Sequence, residues 1–119
     1  MSTPELRKGT TVAAILMVLA DGPEYAYRII QRLDARTRGL FAFKEGLVYP
    51  ALHKMEREGL LAAEWRDEGG RPRKYYALTD EGRRRLASET AALRSFAEGL
   101  RQLLDGGPDA AAEPSKGAP

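Results

Sequence analysis

Residues 44–82 read KEGLVYPALHKMEREGLLAAEWRDEGGRPRKYYALTDEG, and the order of patterns in this stretch decides the fold. Val48, Leu52 and Met55 recur at i, i+4 and i+7, the apolar face of a helix over 46–58. Pro50 has no N–H and is tolerated only near a helix start, so this helix begins close to Gly46 or Leu47. Gly59 closes it. Residues 60–66 alternate, with Leu61, Ala63 and Trp65 on one side and Ala62, Glu64 and Arg66 on the other, which is the period of a strand. Residues 67–72, DEGGRP, are predicted to form a loop longer than a tight turn. Residues 73–79 alternate again, with Tyr76 and Leu78 on one face, and complete a β-hairpin. Thr79 is placed to cap a new helix, with Asp80 and Glu81 in its positive first turn. Helix, strand, basic loop, strand is the order of a winged helix-turn-helix.

The flanks supply what such a unit needs. Val12, Ile15, Leu16 and Leu19 mark a core helix ended by Asp21-Gly22-Pro23. Thr3 and Pro4 could start it, but Gly9 weakens that start and favours Thr10 or Thr11. A second helix over 24–38 buries Tyr25, Ile29 and Leu33 and stops at Gly39. Leu40 to Phe43 is a short aromatic patch, either strand or a loop tucked onto the core. Past Thr79 the pattern is helical over 80–104. There Leu86, Thr90, Leu93, Ala97, Leu100 and Leu104 step by 4 and 3, an a/d seam that Phe96 and Leu103 widen. The winged unit has already used its own core face, so this seam predicts a dimerisation helix. Residues 105–119, DGGPDAAAEPSKGAP, predict a disordered tail. The expected class is mainly α with a small β-hairpin, organised as 1–79, 80–104 and 105–119.

Composition narrows the function. The 119 residues suit one domain, burying roughly 65% of the surface its unfolded chain exposes. Without cysteine there is no disulfide framework, thiol nucleophile or Cys-based metal site, and a cytoplasmic location is expected. The apolar run Val12–Ala20 is far short of the ~20 residues of a membrane span, so no membrane partner is expected. Arg7 and Lys8 ahead of that run resemble the start of a signal peptide, but amphipathic helix continues beyond Pro23, so no leader is expected. The single histidine, His53, lacks further nitrogen or sulfur ligands, so no metal and no cofactor is expected. Gly69-Gly70 is no phosphate loop, and Ser88 and Ser95 have no base nearby in sequence. No enzyme is expected. Residues 1–104 hold eighteen Lys and Arg against fourteen Asp and Glu, so the folded part is more basic than the net +2 suggests.

The face of helix 46–58 opposite its apolar stripe carries Tyr49, Pro50, His53, Lys54 and Arg57. Cations for phosphates and donors for base edges are what a major-groove helix needs. Arg71, Arg73 and Lys74 place three cations at the far end of the hairpin, beside glycines that let the backbone approach a duplex. Arg83-Arg84-Arg85 is read as a solvated face, while Arg7 and Lys8 are weaker phosphate candidates. The aromatics Trp65, Phe41, Phe43, Phe96 and Tyr76 are each expected to pack in a core. If a small-molecule site exists, the dimer interface is its place, with Phe96 first and Trp65 second.

Three segments together resemble the PadR family of bacterial transcriptional regulators: LADGPEYAYRIIQRL (19–33), KEGLVYPALHKMEREGLL (44–61) and GRPRKYYALTDEGRRRL (70–86). The resemblance spans about residues 6–86. It implies a dimeric winged-helix protein that binds double-stranded DNA at a pseudo-palindromic operator, usually as a repressor. It also implies a C-terminal dimerisation helix, here of the short subfamily. Members often release DNA on binding small aromatic or drug-like compounds. Tyr49, Pro50, Lys54, Arg71, Arg73 and Lys74 match the family's positions. Leu47 stands where the family commonly has a threonine, and Tyr25-Ala26-Tyr27 where it has His-Gly-Tyr. Other readings remain open: a MarR- or ArsR-type regulator, although ArsR ligands are absent, and a winged helix used for protein–protein contact.

Overall fold

The computed structural model describes residues 4–40 and 42–111, with side chains over 9–40 and 42–106. In order these form α1 (Pro4–Leu19), β1 (Glu24–Tyr25), α2 (Ala26–Arg36), α3 (Glu45–Arg57), β2 (Leu61–Glu68), β3 (Arg71–Leu78) and α4 (Asp80–Ala111). The fold is mostly helical with one three-stranded antiparallel sheet in the order β1-β3-β2. The apolar stripes converge on one core. Ile15, Leu16, Val18 and Leu19 come from α1, Ile29 and Leu33 from α2, Val48, Leu52 and Met55 from α3, and Leu61 and Tyr76 from the sheet. The buried face read from i, i+4, i+7 spacing in residues 46–58 is therefore the observed one.

Several boundaries differ from expectation, each for a physical reason. The first helix begins at Pro4, not at Thr10 or Thr11. Proline's fixed φ suits a first helical position, and Gly9 lowers the local propensity without blocking the helix. Glu24 and Tyr25 leave the second helix and pair with Tyr76 and Tyr75 as β1. A two-residue strand made by tertiary pairing has no period of its own to read. That helix also ends at Arg36, two residues before the expected 38. Arg38 and Gly39 are both left-handed (φ 53° and 72°); Arg38 takes the first such position, its N–H donating to the Ala35 carbonyl while that of Gly39 donates to the Asp34 carbonyl. α3 ends in the same 6→1, 5→2 pattern with glycine in the left-handed place: Leu60 N–H bonds the Met55 carbonyl and Gly59 N–H that of Glu56. Phe43 is buried on the core, and among the described residues of the 40–43 patch no strand is present; Phe41 lies outside the described residues.

The hairpin loop is shorter than expected. Strand pairing runs to Glu68↔Arg71, leaving Gly69-Gly70 as a two-residue turn with φ of 61° and 82°. Two positive φ values in succession are what such a turn requires. Asp67↔Pro72 then falls at a non-hydrogen-bonded pair, where the missing proline N–H leaves no gap in the ladder.

The chain divides into two compact units between Ala87 and Ser88, and α4 begins in the first and continues into the second. Thr79 caps α4 as predicted: its Oγ1 accepts from Gly82 N–H at 3.0 Å and donates to the Gly59 carbonyl at 2.6 Å. The tail expected from Asp105 does not begin there, because α4 continues to Ala111. Arg101, paired with Glu98 (2.6 Å) and Asp105 (3.4 Å), carries side-chain support across Leu104. Residues 112–119 lie outside the described residues.

Candidate nucleic-acid interface

Burying Val48, Leu52 and Met55 turns the other side of α3 outward. Pro50, His53, Lys54 and Arg57 are exposed, and Tyr49 is half-buried against the core. Lys54 lies 3.5 Å from Glu58, one turn on. At these exposures that pair contributes little and leaves the ammonium available. Among the described residues Arg57 and Arg71 make no ion pair.

The hairpin presents two faces. Leu61, Ala63, Trp65, Lys74, Tyr76 and Leu78 share the face toward α3. Ala62, Glu64, Arg66, Glu68, Arg71, Arg73 and Tyr75 share the other, by strand alternation and register. The three wing cations of the sequence reading are thereby separated. Lys74 reaches across to α3, where its Nζ sits 3.1 Å from Glu56, and it lies 5.2 Å from the Tyr76 ring centre. The Glu56 hydrogen bond, opposed by partial burial, raises the Lys74 pKa and keeps it charged. Arg73 is on the opposite face, 4.2 Å above the Tyr25 ring and 3.6 Å from Glu68. Tyr25 meets Tyr75 edge-on at 5.4 Å and 73°, and Arg66 stacks on Tyr75 at 4.1 Å. Tyr75 Oη donates to Glu68, and this bond is the main cause of its raised pKa. Arg73 and Lys74 thus brace the wing against β1 and α3, while Arg71, next to the turn, is the wing cation that stays unpaired.

Between α3 and the near face of the wing lies an open cleft of about 430 Å³, lined by Tyr27, Tyr49, His53, Trp65, Pro72 and Lys74 among others. Trp65 is 68% exposed, so its expected place in the core is wrong. Alternation aims it at the core face, but beyond Ala63 the hairpin is no longer covered. Phe96 is likewise exposed at 59%, whereas Phe43 and Tyr76 are core residues. Tyr27 was missed as a cleft residue. Its signal is phase: it lies off the Tyr25–Ile29–Leu33 stripe, so a large ring there cannot reach the core.

Residues 15–88 match the model of the transcriptional regulator PadR-like family. This chain belongs to the PadR-like family. It is 32% identical over 102 residues to Transcriptional regulator Rv3488 of Mycobacterium tuberculosis, covering 86% of this chain and 90% of that protein. Its fold is similar to a PadR family transcriptional regulator from Eggerthella lenta, with 37% identity, TM-score 0.71 and coverage of 85% of this chain and 87% of the other. The protein smu.1704 of Streptococcus mutans gives TM-score 0.77 at 28% identity, covering 89% and 95%. PadR-like proteins are transcriptional regulators rather than enzymes, and the match contains α2, α3, the wing and the start of α4. Among the described residues no helix is long and apolar enough to cross a membrane.

On α4, Phe96, Leu100, Leu103 and Leu104 are exposed and Leu93 is half-buried. Leu86 instead is partly buried and packs against the winged-helix core.

Proposed function

We propose that the chain acts in the cytoplasm as a homodimeric, sequence-specific DNA-binding repressor. The observation that carries this reading is the outward face of α3. Four exposed residues there, Pro50, His53, Lys54 and Arg57, stand over a helix whose inner face is fully buried, so the reading surface is rigid. Lys54 and Arg57 meet phosphates, while His53 and the rim of Tyr49 address base edges. Arg71 and the glycine turn reach the adjacent minor groove or its phosphates. Arg73 and Lys74 hold the wing and lie near the backbone.

A monomer would leave Phe96, Leu100, Leu103 and Leu104 in water, which supports pairing through α4. Leu93, Ala97 and the partly buried Leu86 continue that seam. Two-fold pairing calls for a pseudo-palindromic operator with half-sites about one helical turn, ~34–36 Å, apart. A small aromatic or drug-like effector would act where Phe96 is exposed beside the seam.

The test is a gel shift on the DNA upstream of the protein's own gene. The wild type is expected to retard it, and Lys54→Ala with Arg57→Ala and Arg71→Ala to abolish retardation at equal protein concentration. Unchanged retardation by the triple variant would sink the docking model. Leu100→Arg with Leu104→Arg should sediment as a monomer; a dimer would reject the α4 seam.

A further inference from the structure

We propose that the cleft between α3 and the wing seats one sugar–phosphate segment of the duplex, with Trp65 as the platform on which a deoxyribose packs. This rests on the DNA-binding reading above and assigns a role to a surface that reading leaves empty. If α3 lies in the major groove and the wing tip in the neighbouring minor groove, the strand dividing those grooves must pass between the two elements. Among the described residues this cleft lies there, lined by Tyr27 of α2, Tyr49 and His53 of α3, and Trp65, Pro72 and Lys74 of the wing, among others.

Its chemistry fits that occupant. No carboxylate lines it; besides Trp65, its polar lining residues are four tyrosines (Tyr25, Tyr27, Tyr49 and Tyr76), His53, Arg73 and Lys74. Trp65 is the large apolar side chain exposed on this face, at 68%. Covering the exposed part of that indole would remove a large apolar surface from water. A flat apolar ring with a single N–H donor suits a sugar face with a phosphate oxygen beside it. Its place along the strand selects backbone rather than base. Trp65 is four residues before Gly69, so it lies ~13 Å from the wing tip. The tip can enter a groove while the indole stays at its wall. Lys74, tied to Glu56 at 3.1 Å, contributes to the floor and fixes the width of the seat rather than supplying a mobile cation.

Trp65 is the sole tryptophan of the chain, so its emission reports on this site alone. The probes are the upstream fragment and a scrambled 30-base-pair duplex at low salt, each titrated into the full chain. Emission is expected to change with either duplex and to saturate together with retardation in gels. Trp65→Ala should bind both duplexes about three- to tenfold more weakly, the loss of one uncharged contact. Trp65→Phe should recover part of that loss. The dependence of affinity on salt should stay as in the wild type, because no charge is removed. Trp65 is exposed, so both variants should melt as the wild type does, and far-ultraviolet circular dichroism checks this. If the wild type binds neither duplex, the DNA-binding reading itself fails. If the wild type binds while Trp65 emission is flat and Trp65→Ala binds equally well, the cleft proposal alone is overturned. Emission that responds to small aromatic compounds but not to duplex would overturn it too, in favour of an effector seat.

Discussion

Gly82→Ala should be far more damaging than its place in a helix suggests. A Cβ at Gly82 would stand 2.2 Å from the Leu60 carbonyl oxygen, 3.2 Å from the Leu60 carbonyl carbon and 3.4 Å from Leu78 Cδ2. The first contact is about 1 Å inside an ordinary carbon–oxygen approach of ~3.3 Å. The obstruction is backbone, so no rotamer change relieves it. The start of α4 would have to move away from the start of β2. That same Leu60 carbonyl accepts from Thr79 N–H at 3.1 Å, and the movement stretches this bond. Overpacking typically costs 1–3 kcal/mol and the weakened hydrogen bond about 1 kcal/mol, so a loss of roughly 2–4 kcal/mol is expected. For a unit of this size that lowers Tm by roughly 10–25 °C. Urea denaturation at a fixed protein concentration measures it, with the slope m checked for constancy. Gly9→Ala is the control: nothing lies within 4 Å of its Cβ, and it should be neutral or add up to ~1 kcal/mol. A Gly82→Ala protein within about 0.5 kcal/mol of wild type would refute the reasoning, because the close approach at Leu60 would then not constrain the fold.

Arg38→Gly should stabilise by about 1 kcal/mol, since a side chain in the left-handed region costs about that much; thermal melting would show a Tm higher by several degrees, and an unchanged or lower Tm would count against it. Lys54→Ala should weaken binding of every duplex to a similar degree and reduce the salt slope by about one per protomer, whereas His53→Ala should shift base preference at one position; competition gels across mutated half-sites distinguish the two. Tyr75 should ionise above the usual tyrosine range, because its O–H donates a hydrogen bond to the Glu68 carboxylate. Its folded pKa is raised, so its contribution to stability is complete below the unfolded value and is lost as pH rises through the folded one. Near-ultraviolet titration should find one of the five tyrosines late, and Glu68→Gln should bring it earlier; identical titrations would discard the assignment.

The parts of the fold that could be read are those whose cause is local. Val48, Leu52 and Met55 follow from helical period and Thr79 from capping chemistry, and both hold. β1 could not be read, because Glu24 and Tyr25 are a strand only by virtue of Tyr75 and Tyr76, fifty residues on. The wing turn was misread for a different reason. DEGGRP has the composition of a loop, and only pairing register shows that Pro72 falls where no N–H is needed. Alternation placed Trp65 on the correct face of its strand, yet how far along that face the core extends is a tertiary fact. Beyond Ala63 that face opens, and Trp65 is 68% exposed.

Charge illustrates why a site is harder to read than a fold. In the sequence Arg71, Arg73 and Lys74 are one basic cluster, and a count of cations treats them alike. In the folded chain alternation sends Arg73 and Lys74 to opposite faces, and each meets a carboxylate, Glu68 at 3.6 Å and Glu56 at 3.1 Å. A phosphate approaching Lys74 must replace Glu56, so most of the gain is offset by the loss. Arg71 and Arg57, without such partners, offer their whole charge. Lys74 still matters to binding, because the pair it makes joins α3 to the wing and fixes the separation at which two grooves of a duplex are met. A basic patch read from sequence therefore bounds how many phosphates can be engaged; which cations engage them follows from where the carboxylates of the same fold come to lie.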